Sequence, residues 1–240
     1  MLNWEVDPDL LTALVPPGTV LDLHAGRCLV SVVGLRFVDT RVRGRRIPFH
    51  TDFDEVNLRF YVRRQVEDEV RRGVVFVREL VPLPAVALTA RLVYGERYRA
   101  LPMRSLVGGD EVEYRWRLAG RWQGLRLEAG GPAGLPDAGS EEEFVSEHYW
   151  GYAGGRRGTL EYRVEHARWP VRRGKRAELD CDAERLYGPR FAAALEGPPM
   201  SAFLAAGSLV SVHPGQRLGL AAFNPERGRS SRGRPDSPPP

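Results

Sequence analysis

Apolar and polar residues alternate with a period of two along most of the chain. This pattern is typical of half-buried strands in an antiparallel sheet, because successive side chains of a strand point to opposite faces. Short turns are predicted at Ala25 and Gly26, at Gly73, and at Ala119 and Gly120. The sequence therefore predicts a mostly β protein with strands over residues 20–23, 28–42, 56–65, 74–80, 110–118, 121–129, 159–166, 169–172 and 204–212.

Two segments predict short helices beside the sheet. Residues 85–94 lack a clean alternation, and Pro84 stands at their start, where a proline suits the first turn of a helix. Ser140 is a suitable N-cap, and the three glutamates after it favour the positive end of a helix dipole. The second helix is therefore predicted over residues 141–147.

The C-terminal segment differs in composition from the rest of the chain. Residues 224–240 are mainly Arg, Ser, Gly and Pro and contain almost nothing to bury, so they are predicted to be disordered. The chain has 240 residues, 42% of them hydrophobic, which is enough for one large domain or two small ones. We predict a single domain over residues 1–223 followed by this tail.

Charge and hydropathy argue against two classes of partner. Lys and Arg number 35 and Asp and Glu number 31, for a net charge of +4, and the acidic residues are interleaved with the arginines. The concentrated basic surface of a nucleic-acid-binding protein is therefore not expected. No segment approaches the roughly 20 consecutive apolar residues that span a membrane, and the first residues lack the features of a signal peptide. We expect a cytoplasmic protein with no nucleic-acid or membrane partner.

The common catalytic and metal-binding motifs are absent from the sequence. There is no HExxH, CxxC, GxxxxGK[ST] or GxSxG, and no GxGxxG after a strand. Cys28 and Cys181 are too far apart to indicate a disulfide framework or a pair of metal ligands. We expect neither a metal nor another cofactor. Lys175 is the only lysine, so chemistry that needs a lysine amine has one candidate.

The strand predicted at residues 56–65 carries the first candidate site. One of its faces is apolar, and the other carries side chains that make directed hydrogen bonds. This polar side is either a solvated surface of Glu–Arg pairs or the lining of a cavity in which Arg59 binds a carboxylate. In the second alternative the ligand-binding residues are Glu55, Asn57, Arg59 and Tyr61.

Arg78 and Glu79 end the strand predicted at residues 74–80. Adjacent residues of a strand point to opposite faces, so the two side chains cannot simply pair with each other, and a buried charge needs a partner. One alternative is a structural ion pair with another strand. The other makes Arg78 a ligand-binding residue and Glu79 a catalytic proton carrier.

Two histidines stand among aromatic residues. His148 precedes Tyr149 and Trp150, and His166 shares a strand face with Tyr162. Histidine is the side chain most able to transfer protons near pH 7. Each is either a packed, hydrogen-bonded residue or a site residue, and the functional alternatives are acid–base catalysis by His148 and ligand binding by His166.

Several of these segments, in this order, resemble the YqjF-like bacterial family, domain of unknown function 2071. The resemblance covers about residues 10–212, and that family is uncharacterised in activity. Its fold is similar to that of acetoacetate decarboxylase, which implies a closed antiparallel β-barrel or cone with short flanking helices and an internal small-molecule cavity. The motifs are Phe53-x-Glu55-Val56-Asn57-Leu58-Arg59-x-Tyr61-Val62, Gly73-Val74-x-Phe76-Val77, Ala90-Arg91-x-x-Tyr94-x-x-x-Tyr98, His148-Tyr149-Trp150 and His166-x-x-Trp169.

The same resemblance argues against decarboxylase chemistry. Acetoacetate decarboxylases carry Arg-Glu-Leu followed by Pro-Lys-Lys, and the first lysine forms a Schiff base with the keto acid. Here Pro84-Ala85-Val86 follows at the same spacing, so Ala85 occupies the position of the nucleophile. Alanine has no amine, and Lys175 lies in a basic turn, residues 172–176, that we expect to be solvated. The resemblance therefore implies the fold without the reaction.

Three functions remain open. The first is an enzyme with lysine-independent acid–base chemistry, and the second is a binding or sensing module with the same cavity. Both would take a small carboxylate-bearing or oxygen-rich molecule. The third is a structural or interaction protein whose polar strand face lies outside. A homo-oligomer is compatible with all three.

Overall fold

The computed structural model describes residues 1–42, 44–46, 49–93, 95–155 and 157–219. Within these ranges the strands are β1 Leu2–Glu5, β2 Val20–Leu21, β3 Leu29–Phe37, β4 Arg41–Val42, β5 Arg45–Arg46, β6 Phe53–Val66, β7 Glu69–Val81, β8 Tyr98–Ala100, β9 Met103–Gly108, β10 Glu111–Leu118, β11 Arg121–Gly134, β12 Trp150–Gly155, β13 Gly158–His166, β14 Val171–Asp180, β15 Ser201–Ala205, β16 Val210–Val212 and β17 Gln216–Leu218. The helices are α1 Pro84–Val93, α2 Glu141–Ser146, α3 Ala183–Tyr187 and α4 Pro189–Ala194, with 3-10 turns at Pro8–Leu10 and Thr12–Leu14.

The mostly β prediction is confirmed by this set of elements. The predicted disordered tail, residues 224–240, lies outside the described residues, and the single domain over residues 1–223 stays a prediction. None of the described helices is long and apolar enough to cross a membrane.

Fifteen strands form one large sheet in the order β16-β13-β12-β7-β6-β3-β1-β15-β14-β11-β10-β9, and β17, β2 and β8 pair with β13, β6 and β7. Its pairs are antiparallel except that β7 runs parallel to both β8 and β12. The order is an open path, and within the described ranges no ladder joins β16 to β9. The closed barrel or cone that the resemblance implies is therefore not confirmed.

Strands β3, β6 and β7 lie in the middle of this sheet. The register pairs Asn57 of β6 with Glu79 of β7, and Ser31 of β3 with Arg59 of β6. Paired residues point to the same side of a sheet, and alternate residues of one strand also share a side. The three strands thus gather most of the polar candidates on one side, which we call the polar face: Ser31, Glu55, Asn57, Arg59, Tyr61 and Glu79.

The opposite side of these strands is apolar and forms the main core. Leu58 and Phe60 are fully buried there and belong to one cluster with Trp116 of β10. Leu186 of α3 and Phe191 of α4 cover the same cluster. Full burial of a Leu or Phe side chain stabilises the fold by roughly 1.5–3 kcal/mol, so this side fixes the orientation of β6 and, with it, the direction in which the polar face points.

Two glycines allow tyrosine rings to lie directly on the strands beside the polar face. A Cβ atom at Gly73 would lie 2.5 Å from Cε2 of Tyr152, and one at Gly151 would lie 2.1 Å from Cζ of Tyr162. The turn predicted at Gly73 is therefore wrong, because this glycine makes room for a ring inside β7. The chain reverses earlier, where Glu67 adopts a φ of 49°.

The other predicted turns and both predicted helices are found. Ala25 and Gly26 have φ of 48° and 82°, and Ala119 and Gly120 have φ of 49° and 82°, as a two-residue hairpin turn requires. Helix α1 begins at Pro84; Tyr94, the predicted last residue of this helix, lies outside the described residues. In α2 the predicted N-cap is formed, and its hydroxyl accepts from the backbone N–H of residue 143 at 3.1 Å.

The strands predicted near the C-terminus need correction. Residues 204–212 form two strands, because β15 ends at Ala205 and β16 begins at Val210. β15 pairs with β1 and β14, whereas β16 pairs with β13. Of the segment predicted at residues 169–172, only Val171 and Arg172 lie in a strand: they begin the longer strand β14, which pairs with β11 and does not continue β13. Alternation alone does not show where a strand changes partner.

Candidate functional site

Most side chains of the polar face are buried, and Arg59 is half-buried. The exposed fraction is 3% for Glu55, 0% for Asn57, 1% for Tyr61 and 2% for Glu79. A solvated surface of Glu–Arg pairs does not fit these values. The structure therefore brings five of the predicted site residues together inside the protein.

Three carboxyl groups lie together at one end of the polar face. Asn57 Nδ2 donates to Glu55 Oε1 at 2.9 Å, and the hydroxyl of Tyr98 donates to Glu55 Oε2 at 2.9 Å. The hydroxyl of Tyr162 donates to Glu96 Oε1 at 2.9 Å. The sequence did not single out Glu96, which follows α1 in a segment without a strand pattern. We call the following group the carboxyl cluster: Glu55, Glu79 and Glu96.

Burial and mutual repulsion raise the pKa values of this cluster. Burial raises the pKa of Glu79 well above its ordinary range, the charges of Glu96 and Glu55 raise it further, and the nearby Tyr98 hydroxyl opposes the shift. Burial raises the pKa of Glu96 to about 8, although a hydrogen bond from Tyr162 opposes it. The pKa of Glu55 is also raised by burial. The protonated form is therefore favoured in both Glu79 and Glu96, and for Glu96 it predominates at pH 7.

Three buried polar atoms of the polar face have no hydrogen-bond partner among the described residues: Asn57 Oδ1, Arg59 Nε and Glu79 Oε2. Such atoms are rare in folded proteins, and each costs about 1–3 kcal/mol. Here the three belong to neighbouring positions, since Asn57 pairs with Glu79 and Arg59 is two residues further along β6. A polar molecule between them could satisfy all three.

The other end of the polar face is held by a chain of hydrogen bonds. Ser31 Oγ donates to Asn3 Oδ1 at 2.7 Å and lies 2.6 Å from the hydroxyl of Tyr61. A serine hydroxyl has one proton to donate, so Tyr61 is the donor of the second bond. The Nη2 of Arg59 donates to the carbonyl oxygen of Val145 at 3.0 Å. These contacts fix the Arg59 and Tyr61 side chains without using the Nε of Arg59.

His148 lies beside this end, and its ring centroid is 4.7 Å from that of Tyr61. Its Nε2 is 3.2 Å from Asp22 Oδ2, which also accepts from Arg72 Nε at 2.7 Å. Burial lowers the pKa of His148 to about 4. Burial acts to raise the pKa of Asp22, but the hydrogen bonds from His148 and Arg72 outweigh it and the pKa is lowered. At pH 7 His148 is therefore neutral, with its proton on Nε2 and an unpartnered Nδ1 that can accept one.

Two of the predicted site residues lie elsewhere. Arg78 pairs with Leu58 and so points to the apolar side of β7, opposite to its neighbour Glu79. His166 is half-buried in a stack of rings, 4.1 Å from Trp169 and 4.8 Å from Tyr149 between centroids. The structure does not bring either residue to the polar face.

A cavity of about 210 Å³ opens beside the carboxyl cluster. Its walls are residues 13–17, 75–77, 95–97 and 152–155, and Glu96 is its single carboxyl side chain. None of the residues predicted to bind a ligand or catalyse lines it. The cavity predicted around Arg59 stays a prediction.

The two positions relevant to amine chemistry lie at the surface. Ala85 is exposed in the first turn of α1. Lys175 is exposed on β14, in a strand and not in the turn expected from its basic neighbours. Within the described ranges, no three His, Cys, Asp or Glu residues form a group that could hold a metal ion.

Solved structures of the acetoacetate decarboxylase type are similar to this fold. Acetoacetate decarboxylase of Legionella pneumophila subsp. pneumophila str. Philadelphia 1 has a TM-score of 0.62 at 14% identity and covers 91% of this chain and 83% of its own. The enduracididine biosynthesis enzyme MppR, solved with pyruvate, has a TM-score of 0.61 at 13% identity, over 90% and 86%. An acetoacetate decarboxylase-like enzyme of Sphingomonas wittichii RW1 has a TM-score of 0.58 at 15% identity, over 90% and 88%. At these identities the likeness shows the fold alone.

Sequence comparison gives the family. The uncharacterized protein YqjF of Bacillus subtilis (strain 168) is 31% identical over 115 residues, which are 47% of this chain and 45% of that protein. The match thus spans less than half the length of this relative. The sequence profile of DUF2071, an uncharacterized conserved protein, matches residues 1–208. The chain therefore belongs to the DUF2071 family.

Proposed function

We propose that the protein is an enzyme that acts on a small carboxylate-bearing molecule by acid–base chemistry, without a Schiff base. Arg59 binds the carboxylate, and Glu79 gives or accepts the proton. His148, neutral and held by Asp22, is the second group in this region that can accept a proton.

The three partnerless buried atoms of Asn57, Arg59 and Glu79 carry this proposal. Nε of Arg59 is a charged donor and suits a carboxylate oxygen. The protonated carboxyl of Glu79 can donate to a carbonyl or enolate oxygen, and Oδ1 of Asn57 can accept from a hydroxyl. A small oxy- or keto-acid offers all of these groups within a few atoms.

The raised pKa of Glu79 favours an enzyme over a binding module. Burial and the two neighbouring carboxyls raise the pKa of this group well above its ordinary range, which favours its protonated form. Catalytic acids and bases commonly have perturbed pKa values, and a site that only binds its ligand does not need one. Arg59 on the same face can stabilise negative charge that develops during proton transfer.

The exposed positions of Ala85 and Lys175 support chemistry without a lysine amine, since a Schiff base needs an amine inside the site. The pyruvate complex of MppR, a protein of similar fold, supports small keto acids as the first compounds to test. Borohydride should trap no adduct with any keto acid. A covalent adduct at Lys175 would contradict this part of the proposal.

Binding is tested by thermal unfolding in the presence of small carboxylic and keto acids. A ligand of the native state raises the melting temperature, and at 100 times its Kd it adds about 2.7 kcal/mol of stability. We expect Arg59→Gln to abolish the shift. Arg63→Gln, an exposed arginine of the same strand, is the matched control and should leave it unchanged. The proposal fails if no acid shifts the wild type, or if the shift survives in Arg59→Gln.

Catalysis is tested by NMR in D2O, which follows the replacement of protons next to the carbonyl of a bound keto acid by deuterium. Glu79→Gln keeps the shape of the side chain and removes its acid–base function. We expect exchange to slow by about 10²- to 10⁴-fold, with binding retained. Binding without exchange in the wild type would favour the sensing module over the enzyme.

A further inference from the structure

The cavity of about 210 Å³ has one buried carboxyl residue, Glu96, among its lining residues. Apart from Glu96, Arg97 and Tyr152, its walls carry only Ala, Leu, Val, Pro, Phe and Gly residues. The hydroxyl of Tyr152 donates to Glu161 at 3.0 Å, and Arg97 is exposed. Glu96 is therefore the buried ionisable side chain among the lining residues that has no partner of opposite charge within the described ranges.

The surroundings of Glu96 favour a positive charge beside it. Its side chain accepts a hydrogen bond from Tyr162, and within the described ranges no ion pair neutralises it. The carboxyls of Glu55 and Glu79 lie close enough to interact with it, while Arg97 acts on it only weakly from the exposed side. Glu96 is buried, which reduces the screening by water, so an added cation interacts strongly with this group.

We propose that this cavity binds a small organic cation, an amine or amidine joined to an apolar group of about the size of a benzene ring. A cavity of about 150 Å³ holds benzene, so about 210 Å³ has room for one ring with its aminomethyl group. The ammonium group pairs with the carboxylate of Glu96, and the ring contacts hydrocarbon side chains among the lining residues, such as Leu14, Val15 and Phe76. The neutral Glu96 transfers its proton to the solvent when the cation binds.

This proposal goes beyond the proposed function, because it concerns a ligand of opposite charge at a residue outside the Arg59 site. Its test is isothermal titration calorimetry at pH 7 with benzylamine and with benzyl alcohol, which has nearly the same shape and no charge. We expect the wild type to bind benzylamine at least tenfold more tightly than benzyl alcohol. No binding of benzylamine, or equal binding of the two compounds, would overturn the proposal.

Two variants assign the interaction to the carboxylate. Glu96→Gln keeps the shape of the side chain and its bond to Tyr162, and should weaken benzylamine at least tenfold with little effect on benzyl alcohol. Glu128→Gln changes an exposed glutamate of β11 and should bind as the wild type does. Benzylamine that binds equally well to Glu96→Gln would show that the carboxylate does not hold it.

A proton count provides a measurement on the wild type alone, which is decisive even if Glu96→Gln fails to fold. The binding enthalpy in buffers with different ionisation enthalpies gives the number of protons released. We expect a release of up to one proton per benzylamine bound, and none for benzyl alcohol. Benzylamine binding without proton release would contradict pairing with a protonated Glu96.

Discussion

Replacing Glu96 with glutamine should change how the stability of the protein depends on pH. The pKa of Glu96 rises from 4.5 to about 8 on folding, chiefly because the group is buried. Between these pH values the folded state holds a proton that the unfolded state has released. The unfolded state binds fewer protons, so the free energy of unfolding falls as the pH rises, by about 1.4 kcal/mol per pH unit for one group.

The magnitude follows from the width of this pH window. Relative to pH 4.5, the free energy of unfolding of the wild type is lower by about 3 kcal/mol at pH 7 and by about 4 kcal/mol at pH 8. Glutamine is neutral throughout, has nearly the same volume and can accept the hydrogen bond of Tyr162. The variant should therefore match the wild type near pH 5 and exceed its stability by about 3 kcal/mol at pH 7.

Urea denaturation at pH 5, 6, 7 and 8 measures this difference. With a denaturant dependence of about 2–3 kcal/mol per molar, the midpoint of Glu96→Gln at pH 7 should lie roughly 1–2 M above that of the wild type. Glu128→Gln is the control, because that side chain is exposed, and its difference from the wild type should stay small at every pH. A difference for Glu96→Gln that does not grow with pH would refute the buried, protonated carboxyl.

Two further predictions concern packing and charge at the borders of the site. Gly151→Ala should lower the free energy of unfolding by about 1–3 kcal/mol, because its Cβ would lie 2.1 Å from the Tyr162 ring. Gly154→Ala is the control on the same strand. Its Cβ would have its nearest neighbour at 3.7 Å, so this variant should be nearly neutral in the same urea denaturation assay. Equal effects of the two would contradict the close ring contact. Asp22→Asn should lower the free energy of unfolding by about 2 kcal/mol at pH 7. This is less than the loss of a fully buried ion pair would cost, because Arg72 is partly exposed. The pKa of Asp22 is lowered, so the wild type loses the contribution of the ionised carboxylate as the pH falls. The difference between the two proteins, measured from urea midpoints, should therefore shrink from pH 5 to pH 2. A constant difference would argue against the ionised carboxylate.

The sequence was sufficient to predict which residues share the polar side of β6. Period-two alternation places Glu55, Asn57 and Arg59 together, and the structure keeps them together despite a bulge between Leu58 and Arg59. The same pattern could not tell whether that side faces water or the interior. That depends on the strands β3 and β7 that flank β6, and on α2, which packs on the same side and is distant in sequence. The alternation therefore predicts which residues share the polar face, but not whether that face is buried or solvated.

The rest of the site depends on contacts that no local pattern encodes. Glu96 and Tyr162 are 66 residues apart, and His148 and Asp22 are 126 residues apart. Glycine was also ambiguous, since a turn and a close ring contact both require it. Gly73 had the composition signal of a turn, yet it lies within β7 beneath the Tyr152 ring. Sequence reasoning found Glu79 because a charged pair at the end of an apolar strand stands out, and missed Glu96 because a glutamate after a helix does not.

The polar face has two ends with opposite electrostatic character. The short strand segment between them limits the length of the proposed substrate. At one end burial, with the charges of Arg72 and Arg59, lowers the pKa of His148, and hydrogen bonds from His148 and Arg72 lower the pKa of Asp22. At the other end burial raises the pKa of all three groups of the carboxyl cluster. Asn57 pairs with Glu79 and is two residues from Arg59 on β6. Two residues of a strand span about 7 Å. An acid whose carboxylate binds Arg59 and whose reacting atom meets Glu79 can therefore have only a few carbon atoms between the two groups.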